Sequence, residues 1–270
     1  MPILRHGNLS AAPPTGILPP HGFPASTPLK YLVPLRVWLT VVLFVLPIAL
    51  IVIALPGQDR RRRTARWAGR ALFWLAGIPF SVRGLERLPR GACIVAANHA
   101  SYLDGVILTA ALPPRFAFVI KREITAAPLV GWLLKRLGSE FVERFDKKAA
   151  HSDATRIIQR ARDGACLGMF PEGTFKAEPG LRHFHMGAFL TATRADLPVV
   201  PVVIRGARRI LPAQCWWPRP GALQVDVLPA VAPQGRNGDG ARELRRQVRA
   251  EILALCGEPD VAVAESETAR

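Results

Sequence analysis

Several common catalytic signatures are missing from this chain of 270 residues. None of its seven serines stands in Gly-x-Ser-x-Gly, and no Gly-x-x-x-x-Gly-Lys-Ser/Thr occurs. A nucleophile elbow and a phosphate-cradling P-loop are both disfavoured. Only four cysteines are present, Cys93, Cys166, Cys215 and Cys256, with no Cys-x-x-Cys among them. That pattern suits a reducing compartment and offers no metal site. Cys93 and Cys166 lie in apolar runs that read as buried strands, where a free thiol behaves as a small hydrophobe. His183 and His185 in "RHFHMG" lack an acidic or cysteine partner at ligand spacing, so they read as surface or site-lining histidines and no metal is expected. Acidic residues are scarce too: 20 Asp and Glu face 36 Lys and Arg, a net charge of +16. Such an excess points to an anionic partner. The basic residues are not interleaved with aromatics and no base-reading motif is present, so nucleic acid is not the expected partner. No internal repeat is visible.

Apolar residues, by contrast, make up 50% of the chain and its mean hydropathy is +0.19. Combined with the basic excess, this favours an anionic membrane surface. Residues 1–29 carry Pro13-Pro14, Pro19-Pro20, Pro24 and Pro28, and read as a disordered Pro-rich N-terminus. Residues 30–83 read as a membrane-anchoring helical region. No charge interrupts "VWLTVVLFVLPIALIVIAL", Val37 to Leu55, a stretch with the length of a bilayer-crossing helix. Pro47 in its middle predicts a kink, or a turn back without crossing. Arg60, Arg61, Arg62, Arg63, Arg66 and Arg70 follow the run, whereas Lys30 and Arg36 precede it. By the positive-inside bias the region after the run stays in the cytoplasm, and the expected location is the inner (cytoplasmic) membrane with the following domain facing the cytoplasm. "RWAGRALFWLAGIPF" (66–80) is too short to span and reads as an interfacial segment.

Residues 84–256 have the texture of an α/β domain. "ACIVAA" (92–97), "RFAFVI" (115–120), "ACLGMF" (165–170), "VVPVVI" (199–204) and "LQVDVL" (223–228) are short apolar runs bounded by turn residues. Helices are expected over 128–137 and over 153–163, the latter capped by Ser152 and stopped by Gly164. After Asp239 and Gly240, Leu244, Val248, Ile252 and Leu255 recur at helical spacing and predict a final amphipathic helix. Residues 257–270 read as a flexible tail.

Three stretches carry chemistry. In "AANHASYLDG" (96–105), His99 and Asp104 are five positions apart, which on a regular helix separates them by about 140°. They meet only if His99 lies in the loop before a helix and Asp104 in its first turn, with Asn98 and Ser101 as cap-capable neighbours. Asp104 then fixes the imidazole tautomer and leaves the other ring nitrogen to accept a proton. The alternative is plain helix capping, and these ten residues do not choose between the two. "GMFPEGTF" (168–175) follows an apolar strand, and its turn brings backbone N–H groups, a carboxylate and a hydroxyl to one spot on the ligand-binding edge of an α/β sheet. An ordinary Pro/Gly turn is the plainer reading. Residues 120–150 gather Lys121, Arg122, Lys135, Arg136, Arg144, Lys147 and Lys148, either a solvated face or a site for an anion or acidic lipid.

Asn-His-x-x-x-x-Asp, the Lys121 stretch with its Pro and Gly-Trp, Phe-Pro-Glu-Gly-Thr and the Val-Pro-Val run, in this order, resemble the glycerolipid acyltransferase family. Its best-known members are the bacterial 1-acylglycerol-3-phosphate acyltransferases. The resemblance covers residues 85–230. It implies a mixed α/β sheet flanked by helices, preceded by membrane-embedded helices. It also implies transfer of a fatty acyl group from acyl-CoA or acyl carrier protein to a lyso-lipid hydroxyl. The motif histidine, matched by His99, is the general base, and Asp104 orients it. Glu172, Gly173 and Thr174 match the acceptor site, and Lys121 matches a basic residue that helps hold the acceptor phosphate, with Arg144 nearby as a further substrate contact. The thioester supplies the driving force, so no cofactor is required beyond that co-substrate. Backbone amides near the Glu-Gly-Thr turn are candidate oxyanion donors.

The family pattern continues after Glu-Gly-Thr with an arginine associated with the acceptor phosphate, and this chain has Phe175 there. Either Lys176 or Arg182 substitutes, with 1-acylglycerol-3-phosphate as acceptor and phosphatidic acid as product, or the acceptor is another lyso-lipid such as lyso-ornithine lipid. A lipid hydrolase and a non-catalytic lipid-binding protein are the competing classes. The first lacks a serine nucleophile motif, and the second has no use for His99 and Asp104 in register with FPEGT.

Overall fold

The computed structural model describes residues 27–143 and 146–262. The expected disordered stretch falls almost wholly outside these residues, and so do Arg144 and the end of the tail. Seven strands form one sheet in the order β1-β7-β6-β2-β5-β3-β4. They are β1 (Phe80–Arg83), β2 (Ile94–Ala97), β3 (Phe116–Lys121), β4 (Glu140–Val142), β5 (Cys166–Met169), β6 (Val199–Arg205) and β7 (Leu223–Val227). All neighbours pair parallel except β6 and β7, which gives the mixed sheet expected. The five apolar runs became β2, β3, β5, β6 and β7. Their near-continuous hydrophobicity follows from burial on both faces.

Along β2, Ile94 and Ala96 enter one core while Val95 and Ala97 enter the other. Beneath one face lie α6 (Lys147–Arg162), α7 (Gly187–Ala195) and α9 (Gly238–Cys256), contributing Ile157, Phe189, Leu244, Val248 and Ile252. On α9, Leu255 is 45% exposed and Cys256 is buried in its place, so the apolar stripe ends one residue later than expected. Helix α6 begins at Lys147, because Asp146 accepts the N–H groups of Lys148 at 2.8 Å and Ala149 at 3.3 Å. Asp146, not Ser152, is the N-cap. The expected stop at Gly164 is present, with φ +89°. The first residues of the tail are tied down: Leu181 N donates to Pro259 O, Asp260 pairs with Arg249, and Glu258 pairs with Arg208 at 2.7 Å.

The other face is covered by α4 (Asp104–Ala111) and α3 (Gln58–Ala76), and α3 supplies Leu72, Phe73 and Ala76 to the core. A Cβ added to Gly69 would stand 3.0 Å from the Ala110 methyl, so the two helices approach closely there. The interfacial segment expected over 66–80 is thus the second half of a helix packed on the domain, followed by an edge strand. That strand, β1, pairs with β7, so the sheet begins within the region assigned to the anchor. Outside α3 runs one long helix: α1 (Thr27–Thr40), a π turn over Val41–Val45 and α2 (Leu46–Ala54). Pro47 has no N–H for the usual i→i−4 bond, and the π turn directly upstream absorbs the mismatch. The helix continues through it. Tyr31–Ala54 is 24 residues long and its most apolar 18 residues have a mean hydropathy of 2.9, which makes it long and apolar enough to cross a membrane.

Arginines join this layer to the domain. Arg61 Nε donates to Leu55 O, Arg62 Nε to Leu137 O and Arg70 Nε to Ala110 O, at 2.7, 2.8 and 3.0 Å. Arg136 Nε reaches Ile53 O at 2.7 Å. Each neutralises a carbonyl left over at a helix end, where the dipole also favours a cation. Part of the basic excess is therefore structural.

Candidate active site

Parallel strands release their following loops at one edge, and that edge gathers the expected site. His99 lies two residues past β2, Lys121 ends β3, and Phe170 to Thr174 follow β5. His99 is in the loop and Asp104 is the first residue of α4, the one arrangement in which the pair meets. His99 Nδ1 is 2.8 Å from Asp104 Oδ2. The same oxygen accepts the N–H groups of Ala100 at 2.6 Å and Ser101 at 2.8 Å. Capping and pairing, the two readings left open by the sequence, are done by one carboxylate. Asp104 is fully buried and the His99 side chain is 19% exposed, so the orienting group is sealed off and the ring faces the cleft. With Nδ1–H donated to Asp104, Nε2 is the basic nitrogen.

Glu172 is buried beneath the loop. Its Oε1 accepts His99 N at 2.6 Å and its Oε2 accepts Arg182 N at 2.9 Å. Burial pushes its carboxyl up to about 7, outweighing the pull of these two donors in the other direction. With one backbone amide on each oxygen, Glu172 braces the histidine's backbone from below. Gly173, at φ +73°, makes the turn, and its N–H donates to Phe170 O at 3.0 Å. That amide is spoken for and is not an oxyanion donor. Thr174 is exposed beside the cleft. Arg144 falls outside the described residues. Asn98 does not cap α4: its Nδ2 donates to Ile204 O at 2.9 Å and its Oδ1 accepts Ile204 N at 2.7 Å, fixing the end of β2 to β6. Ser101 Oγ accepts Leu103 N and donates to Leu211 O. His183 ring nitrogen Nε2 lies 3.3 Å from Arg245 Nη1, and its ring centroid is 5.9 Å from that of His185.

The His99 ring is held between two phenylalanines. Phe170 stacks on it at 4.3 Å between centroids, 18° from parallel, and Phe175 tilts against it at 4.5 Å. Phe175 also meets Tyr102 edge-on at 4.8 Å, and Tyr102 stacks on Trp216 at 5.6 Å. The sequence does not single out Tyr102, and Phe170 stands in it only as the first residue of Phe-Pro-Glu-Gly-Thr. One is an unconstrained position inside the His-Asp spacing and the other precedes the turn, and nothing local marks either as facing His99.

Known proteins are similar to this chain over most of its length. Residues 79–205 match the family described as Acyltransferase. The chain is 31% identical over 227 residues to the 1-acyl-sn-glycerol-3-phosphate acyltransferase of Pseudomonas aeruginosa, covering 82% of this chain and 85% of that one. It is 36% identical over 230 residues to the lyso-ornithine lipid O-acyltransferase of the same organism, covering 75% and 83%. The crystal structure of the 1-acyl-sn-glycerophosphate acyltransferase of Thermotoga maritima has the same fold, with a TM-score of 0.69 at 21% identity over 84% of this chain and 96% of that one. A buried carboxylate orienting a histidine at the strand-end cleft, on a chain related over most of its length to these enzymes, places it in their family: the chain belongs to the acyltransferases and is an enzyme of the lysophospholipid, 1-acylglycerol-3-phosphate type.

Proposed function

We propose that the enzyme moves a fatty acyl group from acyl-CoA or acyl carrier protein to the hydroxyl of a lyso-lipid at the cytoplasmic face of the inner membrane. 1-Acylglycerol-3-phosphate is the first acceptor to consider, giving phosphatidic acid. The observation that carries the chemistry is the 2.8 Å contact between His99 Nδ1 and Asp104 Oδ2. His99 Nε2 removes the proton from the lipid hydroxyl as its oxygen attacks the thioester carbonyl. The tetrahedral oxyanion then collapses, the C–S bond breaks, and the thiolate takes the proton from the imidazolium. Asp104 stabilises the charged ring in between. A positioned base of this kind contributes typically about 10²–10⁴-fold. Lys121, at the strand-end edge, and Thr174, beside the cleft, are the side chains assigned to the acceptor.

Membrane attachment is supported by the apolar helix Tyr31–Ala54 and by exposed Trp67 and Trp74 on α3. Both ends of that helix are tied to the domain: Arg36 Nε donates to Leu75 O and Arg136 Nε to Ile53 O. A helix held along the domain in this way favours embedding in one face of the bilayer over crossing it.

A specific observation favours a second acceptor. Where a phosphate-pairing arginine would stand, Phe175 packs on His99, and the 36% identical relative acts by name on a lyso-ornithine lipid. A panel of lyso-lipids assayed with acyl-CoA and with acyl carrier protein, and read by mass spectrometry of the products, tests both readings. Acylation of 1-acylglycerol-3-phosphate supports the first. Exclusive acylation of lyso-ornithine lipid selects the second. Release of free fatty acid regardless of acceptor would sink both in favour of a hydrolase.

A further inference from the structure

The rings beside His99 do not stop at the active site. From His99 the contacts run to Phe175 at 4.5 Å, on to Tyr102 at 4.8 Å and on to Trp216 at 5.6 Å. Trp216 O then accepts a hydrogen bond from Trp38 Nε1 at 3.2 Å, and Trp38 belongs to the helix long and apolar enough to enter a bilayer. Tyr102 is 49% exposed and Trp216 67% exposed, so a continuous aromatic strip is left uncovered between the base and that helix. A cavity of about 360 Å³ lies at its inner part, with Tyr102, Phe175 and Ala213 on its apolar side and Lys176, Glu178 and Gln214 on its polar side. The corner carrying the tryptophan is held in place: Gln214 sits at φ +60°, and Arg219 N donates to Ile210 O. A non-glycine residue in that conformation persists only where the surroundings impose it.

We propose that Phe175, Tyr102 and Trp216 form the track for the hydrocarbon chain of the acceptor lipid. This rests on the reading of the enzyme as a lyso-lipid acyltransferase. In a single-chain lipid the reacting hydroxyl sits at the polar end. With that hydroxyl at His99, the chain must leave the site along an apolar path. The strip is such a path, and it ends on the helix assigned to the membrane. A lipid can thereby move from the bilayer to the base with one side of its chain on apolar rings, and the water displaced from both surfaces supplies the driving force. Planar rings also suit a chain of varying length, since they offer flat contact and no closed end.

The experiment compares acceptors with a hexadecanoyl and a hexanoyl chain on the full-length protein in vesicles. Trp216→Ala is expected to lower the ratio of kcat/KM for the long over the short acceptor roughly tenfold, which corresponds to about 1.4 kcal/mol. Trp216→Phe is expected to restore most of it. A ratio that Trp216→Ala leaves unchanged would overturn the track. A second measurement does not depend on turnover: a lyso-lipid with a diazirine at its chain end is photolysed on the wild-type protein and its adducts are mapped. Adducts on Tyr102, Ala213 or Trp216 support the track, and adducts confined elsewhere overturn it. Labelling of these residues in a protein that acylates no lyso-lipid would overturn the proposed activity and leave the chain site standing.

Discussion

The two halves of the site are built by opposite means. Around His99, a set of short polar contacts leaves almost nothing free to move: Asp104 Oδ2 holds a ring nitrogen and two backbone amides, Glu172 holds the backbone of His99, and Asn98 pins the strand end to β6. Along Phe175, Tyr102 and Trp216 the contacts are ring on ring and largely exposed. Hydrogen bonds in a buried setting are directional and costly to break, whereas ring contacts tolerate shifts of an ångström. In the proposed reaction a proton travels along a fixed line, whereas a hydrocarbon chain needs only a surface. The comparison teaches that geometric precision is confined to the few atoms proposed to handle the proton.

The sharpest way to break that comparison is to remove the two members of the pair separately. His99→Ala should lower kcat by about 10²–10⁴-fold while costing only about 1 kcal/mol of stability, an ordinary substitution effect. Asp104→Ala should lower activity similarly and also destabilise the fold by about 3 kcal/mol or more, because two buried amides lose their acceptor. Steady-state kinetics with denaturant unfolding of both variants separates the two effects. Equal stability losses would mean that the loop is not built on Asp104.

An intermediate effect is expected from Glu172, and its sign can be worked out. Its carboxyl is raised to about 7 in the folded protein, so between its ordinary value and about 7 the native state holds a proton that the unfolded chain does not. Acid therefore favours folding at this residue, and that contribution is lost as pH rises through about 7. Protonation also turns one acceptor oxygen into a donor, which cannot serve both His99 N and Arg182 N. Activity should consequently fall below about pH 7 while the stability of wild type relative to Glu172→Gln rises. Glu172→Gln should flatten both profiles. An unaltered acid limb in its rate profile would remove Glu172 from the control of His99.

The smallest effect belongs to the aromatic half. Phe175→Leu keeps an apolar wall but loses ring contacts to His99 and Tyr102, a loss of about 0.5–1.5 kcal/mol visible in the denaturant midpoint. A loss matching that of Asp104→Ala would place Phe175 with the rigid half.

The legibility of the chain follows the same division. Five strands were readable because burial on both faces makes them apolar without interruption. Strands β1, "FSVR", and β4, "EFV", were not, being short, polar and at the sheet edges. Glu140 is buried in β4 only because Arg156 and Arg160, twenty residues or fewer downstream, supply its partners. Nothing in the sequence marks Asp146 as a cap, since it lies among basic residues with no apolar periodicity to announce a helix start. The arginines after the apolar helix read as charge in the sequence, whereas the carbonyl contacts of Arg61, Arg62 and Arg70 explain much of their placement.

Local physics in the sequence by itself determined the α/β texture, the apolar N-terminal helix and the requirement that His99 precede the helix that Asp104 begins. Those depend on periodicity, length and the 3.6-residue turn, all readable over a few residues. Only the tertiary structure decided that Glu172 braces His99 from below, that Phe170 and Phe175 sandwich its ring, and that Tyr102 and Trp216 carry the aromatic surface to Trp38. Those contacts join segments as much as 178 residues apart. Their proximity comes from parallel strands delivering the loops after β2, β5 and β6 to one edge and from the N-terminal helix packing beside it, which no local pattern encodes.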